Sequence, residues 1–520
     1  MNPEEIEKKH KRIMIYVMIV SLICVVGVSY AFFTAGMSSE TSTTVRSDAG
    51  TMKITYSGGA NINLAGIYPK DDVWATKTIT VTGNNTTDAE MYYKLTLVVD
   101  SNTFKTDDPL QYELVSTNTS TNGEIIPNIS KKDITGTSIE LGSGKFVKAN
   151  NAKHTYLLKI YYPKKATSQN ANQGAAFSAH VEITSAKAPT VSIFKDAILA
   201  NNEVKTPITI PGAAVFTASE ALLASTPDDY GTSYYFRGAV TNNYVEFANK
   251  CWRIVRVGGD GSVKLILHND NTAKAANPCS SANNEASAAF ARYSGTTYKS
   301  AFNSSYDDNA YVGFKYGTVG SSTYEATHAN TKKSTILTNL ETWYNSNLKT
   351  YESVIADNAW CNDKTNVTDT TYNPLNFSNV NGLGYAKNLT YYGAIQRLVS
   401  PSKSARGTGP SLKCNGKLSK INSKVGLITA DELAFAGYAY RLKNTTTYLQ
   451  ENATRNYWWS LSPSFFYGVS ASVWCVEGGA GGFDGYGVKG TNGLRASISL
   501  RSTTNVTGEG TSSSPFVVKI

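Results

Sequence analysis

The chain has 520 residues, with 49 Lys or Arg against 40 Asp or Glu, and a formal net charge of +9. At the usual domain size of about 100 to 200 residues, this length excludes a single hydrophobic core and predicts two to four domains. The basic excess is spread along the chain without a dense Lys/Arg tract, so we expect no nucleic-acid partner, although the excess favours an anionic cell-wall or membrane surface.

The N-terminal end predicts export. Four basic residues between positions 8 and 12 precede an apolar run over residues 13–28 that carries no charge. A basic flank before such a run is an export signal, and the basic side stays in the cytoplasm. Residues 1–35 are therefore a cytoplasmic tail followed by a membrane anchor, or by a signal peptide cleaved after Ala31. The rest lies on the outer face of the membrane, or is secreted after cleavage.

The cysteines indicate a disulfide-bonded protein and no zinc site. Cys24 lies in the apolar run, which leaves five cysteines in the exported part. Five thiols form at most two disulfides within one chain, and none of them has the paired Cys-x-x-Cys spacing of a zinc site. We take Cys361 and Cys414 as the candidate disulfide pair, although connectivity does not follow from sequence.

Residues 38–187 read as a first β domain. Apolar and polar residues alternate with period two over residues 52–56, 93–99, 156–162 and 177–183. This alternation is typical of half-buried strands, and turn-rich stretches such as GNNTTD separate the runs. Several such strands with little helical period predict a β-sandwich.

The same region resembles a known family. SYAFFTAG, GTMKITY and ITVTGNNTTDAEMYYKLTLVV follow one another as in the camelysin/TasA family of secreted Gram-positive matrix proteins. The resemblance implies a jelly-roll-like sandwich, and some members of that family assemble into biofilm fibres. Some are also described as metallopeptidases, but the His-Glu-x-x-His helix is missing here, and His154 and His180 fall in separate predicted strands. We therefore expect no peptidase activity.

Residues 188–520 read as a linker and an α+β domain. The Pro-containing stretch SAKAPTV opens a linker over residues 188–229, which includes a short helical pattern. A hairpin with a Gly/Asp turn is predicted over residues 252–267, and residues 271–333 lack periodicity and are expected to form a long irregular insertion.

Two helices and two closing strands follow. Ser334 is expected to cap one helix, and Thr429 opens another with capping-box spacing that ends near Gly437. Alternation over residues 494–500 and 516–518 predicts the strands.

This part resembles the C-type-lectin-like fold. The ordered segments NNYVEFANKCWRIVRV, GLITADELAFAG, YWWSLSP and GLRASISL are similar to an uncharacterised surface domain of gut Firmicutes. The resemblance covers about residues 230–520. It implies ligand recognition through loops, since the wider superfamily binds sugars or proteins in that way.

The ligand candidates lie in and near the glycine-rich stretch GGAGGFDGYG, which we expect to form a loop at the rim of the domain. They are Phe466, Tyr467, Phe483, Asp484 and Tyr486. The alternative is a structural loop that packs on itself. Trp458, Trp459 and Trp474 are interpreted mainly as core residues, with sugar stacking as the alternative.

No catalytic, cofactor or metal site is predicted. An enzyme needs a nucleophile with a base, or a metal cluster, and Cys475 has no partner residue in any such motif. The calcium-lectin motifs Glu-Pro-Asn, Gln-Pro-Asp and Trp-Asn-Asp are missing; Trp360-Cys361-Asn362-Asp363 comes nearest.

The sequence as a whole predicts a multidomain, mostly β, non-enzymatic surface protein of a Gram-positive bacterium. A β-sandwich stalk would carry an adhesin module for an unknown glycan or protein. The alternative is a self-assembling fibre or biofilm-matrix component.

Overall fold

The chain folds into two compact units, Met1–Ala188 and Pro189–Ile520. The computed structural model describes residues 52–85, 90–118, 122–185, 191–414, 416 and 418–520. Most regular structure is β, which confirms the prediction of a multidomain, mostly β protein. The anchor or signal predicted within residues 1–35 lies outside the described residues. Among those described, no helix is long and apolar enough to span a bilayer.

The N-terminal unit is built from two antiparallel sheets. Its strands are β1 (Met52–Ser57), β2 (Ile62–Ala65), β3 (Lys70–Asn85), β4 (Met91–Asn102), β5 (Gln111–Ser116), β6 (Ile129–Asp133), β7 (Ser138–Phe146), β8 (Ala149–Tyr162) and β9 (Ala176–Ser185). A 3-10 helix covers Asn170–Asn172. One sheet has the order β1-β3-β8-β5-β6 and the other β2-β9-β4-β7. Every predicted strand of this region is present.

The two sheets share one hydrophobic core. Alternate residues point inward, among them Leu95 and Leu97 of β4 and Leu158 and Ile160 of β8. Because side chains alternate between the faces of a strand, the period-two pattern places one face of each sheet in this core. The arrangement is sandwich-like, as the alternation predicts.

A polar group is buried within this core. His154 is fully buried, its Nε2 donates to the carbonyl of Asn122 at 3.0 Å, and its Nδ1 accepts from the Tyr93 hydroxyl at 2.6 Å. Burial lowers the pKa of His154, because desolvation penalises the charged ring. Folding of this unit therefore favours the neutral form of the imidazole.

The C-terminal unit contains nineteen strands among the described residues. They are β10 (Ser192–Ile193), β11 (Ala221–Asp228), β12 (Gly231–Gly238), β13 (Tyr244–Phe247), β14 (Lys250–Val257), β15 (Val263–Asn269), β16 (Lys299–Ser300), β17 (Lys315–Tyr316), β18 (Lys332–Lys333), β19 (Asn358–Cys361), β20 (Thr390–Tyr391), β21 (Lys420–Ser423), β22 (Trp458–Phe466), β23 (Ala471–Val476), β24 (Phe483–Gly487), β25 (Asn492–Gly493), β26 (Ser497–Leu500), β27 (Asn505–Thr507) and β28 (Phe516–Lys519).

Short helices connect these strands. The α-helices are α1 (Phe194–Asn201), α2 (Tyr324–His328), α3 (Thr335–Asn347), α4 (Gly393–Leu398) and α5 (Ala430–Ala436). Further 3-10 helices cover Ser281–Asn283, Asn309–Val312 and Lys349–Tyr351.

Two sheets organise the C-terminal unit. The larger has nine strands in the order β10-β27-β28-β13-β14-β12-β11, and β15 joins β14 to β26. The second has the order β16-β25-β22-β23-β24, with β20 beside β22. The early hairpin β14–β15 and the closing strands β26 to β28 thus lie in one sheet, since β15 pairs with β26 and β28 with β13.

The strongest local predictions are confirmed. Trp252 pairs with Leu267 across the predicted hairpin. Ser334 caps α3 through its hydroxyl. Thr429 forms a capping box at the start of α5, which ends at Gly437 with φ +119°, a left-handed conformation that favours glycine.

Two stretches without a strong sequence pattern contribute to the core of this unit. The segment that we assign to a linker contains α1, whose Phe194 is buried, and β11, which pairs with β12. The segment that we assign to an insertion places Phe290, Phe302 and Phe314 in the same core. Trp458, Trp459 and Trp474 are all fully buried, which agrees with their interpretation as core residues.

Candidate functional site

The five predicted ligand residues do not share one environment. Phe466 and Phe483 are 0% and 1% exposed, and the Phe483 ring packs 4.5 Å from the ring of Trp474. Because both rings lie in the apolar core of the second sheet, they cannot contact a ligand as placed. We therefore withdraw them from the ligand surface.

The second half of the glycine-rich stretch is a strand, so our prediction of a loop was wrong for residues 483–487. These residues form β24, the edge strand beside β23, with Val473 opposite Tyr486. A Cβ on Gly485 would lie 2.7 Å from the Ser464 hydroxyl and 2.8 Å from the Phe465 ring. Glycine thus allows a close approach to β22, one of the known uses of glycine within a strand.

The three remaining candidates are accessible, Asp484 and Tyr486 on the edge strand β24 and Tyr467 in the turn that follows β22. Tyr467 and Tyr486 are both 44% exposed. Asp484 is half-buried and pairs with Arg441 at 2.6 Å between Oδ2 and Nε. The ion pair fixes the carboxylate two residues from Tyr486 on β24, although a pair this exposed adds little to stability.

Both tyrosines are supported by other aromatic rings. The Tyr467 ring lies 4.3 Å from that of Phe377, which stacks in turn on Tyr391 at 5.3 Å. The Tyr486 ring meets those of Tyr457 and Trp459 edge-on at 5.6 and 6.1 Å. These contacts restrict the rings, so a ligand that binds them loses less conformational entropy on the protein side.

The exposed surface extends beyond the predicted residues. Val469, at the tip of the β22–β23 hairpin, is 66% exposed, and Tyr306 and Tyr457 are partly exposed as well. The Tyr306 carbonyl accepts from Ala471 next to that tip, and Lys489 lies 5.0 Å from the Tyr306 ring. We call these exposed residues together the tyrosine surface; it comprises Tyr467, Val469 and Tyr306 at the β22–β23 turn, and Tyr457 and Tyr486 in contact with each other beside β24. Tyrosine combines a rigid apolar ring with a polar hydroxyl, and is therefore enriched in binding surfaces.

A second feature, which sequence analysis missed, is a charged cleft. Arg256 of β14 contacts Asp228 at 3.0 Å and Glu432 of α5 at 2.9 Å. Lys264 of β15 reaches the same Glu432 oxygen at 2.6 Å. These pairs join the predicted hairpin to the capping box of α5.

The other half of the cleft is centred on Arg397 of α4. Its guanidinium binds Asp431 through two hydrogen bonds, at 2.7 and 2.8 Å, and Asp363 through a third at 2.7 Å. Such bidentate pairs are among the strongest charge-assisted hydrogen bonds. The Cys361–Cys414 disulfide also lines the cleft.

The cleft is small and largely neutralised from within. Its cavity volume is about 40 Å³, far below the roughly 300–1,000 Å³ of a small-ligand pocket. The two cations hold the pKa of Glu432 at about 2 against the opposing effect of burial. This geometry is that of a structural ion network, not of an open ligand site.

The sequence contains a weak indication of this ion network, namely charged residues within otherwise apolar segments. Arg256 and Lys264 interrupt apolar strands, and Asp431 and Glu432 interrupt a short apolar helix. Buried strands rarely carry charges unless they are paired, so these residues could have been recognised as candidates for ion pairs. Their partners could not be read from sequence, since they lie far apart in the chain.

The cysteines of the C-terminal unit form two disulfides. Cys361 is joined to Cys414, the pair taken as the candidate, and Cys251 is joined to Cys279. Cys475 is a buried free thiol whose pKa is raised by burial, and a protonated thiol is a poor nucleophile.

The buried histidines of this unit are held neutral. Burial and the neighbouring arginines lower the pKa of His268 well below its usual range, and burial lowers that of His328 to about 3. Within the described ranges, no group of three or more His, Cys, Asp and Glu is arranged to hold a metal ion.

Comparison with known proteins gives no assignment. No protein-family model matches the chain, and no curated protein matches it. Among solved structures, the P-domain of Macrobrachium rosenbergii nodavirus matches at 14% identity over 28% of this chain and 98% of its own, with a TM-score of 0.12. A similarity at that score carries no argument about fold or function.

Proposed function

We propose that this is an exported, non-enzymatic surface protein of a Gram-positive bacterium whose C-terminal unit binds a ligand through the tyrosine surface. The observation that carries the proposal is that Tyr467 and Tyr486 are exposed while aromatic neighbours support their rings. Exposed apolar area that is supported in this way on a sheet edge is typical of an interaction site.

The rest of the architecture that we propose follows from the two family resemblances of the sequence. The N-terminal unit would be a TasA/camelysin-like jelly-roll stalk, and the C-terminal unit a C-type-lectin-like domain. The early hairpin and the closing strands in one sheet support the second assignment. Ligand recognition would then depend on the tyrosine surface.

Export is supported by the disulfides. The pairs Cys251–Cys279 and Cys361–Cys414 both lie within the C-terminal unit. Disulfides persist in oxidising compartments and are rare in a reducing cytosol. Together with the basic flank and apolar run at the N-terminus, they support a location outside the membrane, anchored or released after Ala31.

A glycan is the ligand class that we favour. Sugar rings present C–H faces that pack on aromatic rings, and hydroxyl groups that pair with carboxylates and guanidinium groups. Tyr486 and the Asp484–Arg441 pair offer both kinds of contact, since Asp484 and Tyr486 lie two residues apart on β24. The tyrosine surface requires no metal ion for this mode of binding.

The test is a glycan and cell-wall-polysaccharide array probed with the purified protein, with and without calcium. We expect selective binding that does not require calcium and that weakens about tenfold or more, about 1.4 kcal/mol or more, in Tyr467→Ala and Tyr486→Ala. Tyr68→Ala is the matched control, because Tyr68 is an exposed tyrosine of the N-terminal unit.

Two results would contradict this proposal. Binding that is unchanged in both tyrosine variants but lost in Tyr230→Ala would move the site to the charged cleft, where Tyr230 lies. If the protein bound no glycan on the array, its ligand would be a protein, or its function would be that of a structural fibre component.

The alternative is a fibre or matrix component, and one observation favours it. Among the described residues, β1 and β6 are the end strands of one sheet of the N-terminal unit, and β2 and β7 are those of the other. Edge strands present unpaired backbone groups to which another chain can pair. Concentration-dependent filaments in electron micrographs, unaffected by Tyr467→Ala and Tyr486→Ala, would support self-assembly as the main function.

A further inference from the structure

The C-terminal unit buries an arginine that has no carboxylate partner. Arg495 is 1% exposed, its Nε donates to the carbonyl of Leu267 at 2.9 Å, and its Nη1 donates to the carbonyl of Leu449. Within the part of the chain that the structure describes, its Nη2 has no hydrogen-bond partner and no ion pair involves this side chain. Arg237 is also buried but differs from it, because its Nε lies 2.7 Å from a Glu220 oxygen.

The charges around Arg495 do not cancel. Burial lowers the pKa of Arg495 to about 10, so its guanidinium is still charged at neutral pH. Glu451 acts on this arginine and on the buried Arg253, but it lies 2.9 Å from Arg253 Nη1 and pairs with that group. His268 adds no charge, because burial and the two arginines lower its pKa well below the usual range. Two guanidinium groups thus share one carboxylate, and a desolvated positive charge is unfavourable unless an anion pairs with it.

Two further donors without an acceptor accompany this guanidinium. The centroid of the Trp458 ring lies 4.9 Å from Arg495 Cζ, and the Nε1 of that ring is buried without a hydrogen-bond partner. Tyr448 precedes Leu449, whose carbonyl accepts from Arg495, and the Tyr448 hydroxyl is buried without a partner as well. All three groups can donate a hydrogen bond, so the group that satisfies them is an acceptor.

We propose that the C-terminal unit binds one chloride ion beside Arg495 as a structural counter-ion. Arg495 Nη2, Trp458 Nε1 and the Tyr448 hydroxyl would donate to it. One monovalent anion matches the one unpaired positive charge, whereas a water molecule would accept the hydrogen bonds but leave the charge unpaired. The three side chains are at most 3% exposed, so a monatomic ion fits this site better than an acid group attached to a larger molecule.

The ion would lie where the two main sheets of the C-terminal unit meet. Arg495 lies between β25 of the second sheet and β26 of the larger sheet. Its partner Leu267 belongs to β15 of the larger sheet, and Trp458 begins β22 of the second. Bound chloride would therefore stabilise the packing of the two sheets, because it binds the folded state and not the unfolded chain. This inference is independent of the ligand that the tyrosine surface binds.

The test is thermal unfolding of the full-length protein, followed by tryptophan fluorescence at constant ionic strength in sodium chloride, sodium bromide or sodium gluconate. We expect the melting temperature of the C-terminal unit to rise saturably with chloride or bromide, by roughly 3–5 °C at 100 times Kd. Gluconate is the matched anion, because it is monovalent but too large for the site, and it should give no such rise.

Three variants locate the effect. Arg495→Met removes the charge and should abolish the difference between chloride and gluconate. Trp458→Phe keeps an aromatic ring but removes Nε1, and should reduce the difference. Arg501→Met is the matched control and should keep the full difference, because Arg501 is exposed.

The wild-type salt series is decisive even if Arg495→Met fails to fold. Equal melting temperatures of the wild type in chloride, bromide and gluconate would overturn the proposal in favour of a bound water molecule. A chloride dependence that persists in folded Arg495→Met would place the anion elsewhere, and it too would refute this site.

Discussion

Replacing Glu432 by Gln removes the carboxylate that joins two buried cations. Glu432 Oε1 accepts from Lys264 at 2.6 Å and from Arg256 at 2.9 Å, while Oε2 accepts from the Thr429 amide at 2.9 Å. The neutral amide preserves the size of the side chain and one acceptor for the cap, so the main change is the loss of charge. Arg256 keeps Asp228 as a partner, whereas Lys264 forms no ion pair with a second carboxylate in the part of the chain that the structure describes.

The expected loss of unfolding free energy is about 3–5 kcal/mol, because breaking a buried ion pair leaves a desolvated charge uncompensated. The pKa of Glu432 leads to a similar value. It falls from 4.5 to about 2 on folding, and at about 1.4 kcal/mol per pKa unit this corresponds to roughly 3 kcal/mol at neutral pH.

The effect also has a defined pH dependence. The pKa of Glu432 is lower in the folded state, so its contribution is complete above pH 4.5 and is lost as the pH falls towards about 2. The difference between wild type and Glu432→Gln should therefore shrink over that range. Tryptophan fluorescence in urea is a suitable measurement, because Trp74 is the only tryptophan outside the C-terminal unit.

Glu341→Gln is the control for this experiment. Glu341 pairs with Lys333 at 2.6 Å, but the two side chains are 32% and 53% exposed, so its loss should change stability by less than about 1 kcal/mol. If Glu432→Gln were no more destabilising than this control, or if its effect were constant from pH 7 to pH 3, the proposed desolvated network would be wrong.

Three further predictions concern stability. Replacing Cys361 and Cys414 by Ser should lower the unfolding free energy of the C-terminal unit by up to about 4 kcal/mol, since the disulfide closes a separation of 53 residues; an unchanged urea midpoint would contradict this. Gly485→Ala should lower the melting temperature by an amount equivalent to about 1–3 kcal/mol, because its Cβ would overlap side chains of β22; a neutral effect would show that β22 moves freely. In a His180→Gln background, the N-terminal unit should lose stability as the pH falls below 6.5, because burial lowers the pKa of His154; thermal unfolding that is flat from pH 8 to pH 5 would argue against a neutral buried ring.

The features that sequence predicted correctly are local ones. The strands of the N-terminal unit follow from period-two alternation, and the β14–β15 hairpin follows from two apolar runs around a Gly/Asp turn. The ends of α5 follow from the Thr429 capping box and Gly437. Each of these patterns involves residues that are close in the chain. The structure that they form can therefore be predicted from a short stretch of sequence.

Accessibility of the candidate ligand residues was decided by tertiary structure. Phe483 and Tyr486 lie on the same short strand, but one ring is buried against Trp474 and the other faces outward. Glycines on both sides of these residues removed the alternation that would have predicted a strand. The edge position of β24 and its pairing with β23 supplied the information that the local sequence lacked.

The charged cleft depends entirely on the fold. Glu432 meets Lys264 because α5 packs beside the hairpin, although the two residues are far apart in the chain. The sequence by itself determined which residues are charged, where the local elements begin and end, and that the first sheets have one apolar face. Which charges pair was decided by tertiary packing, because desolvation and charge pairing depend on three-dimensional neighbours rather than on sequence order.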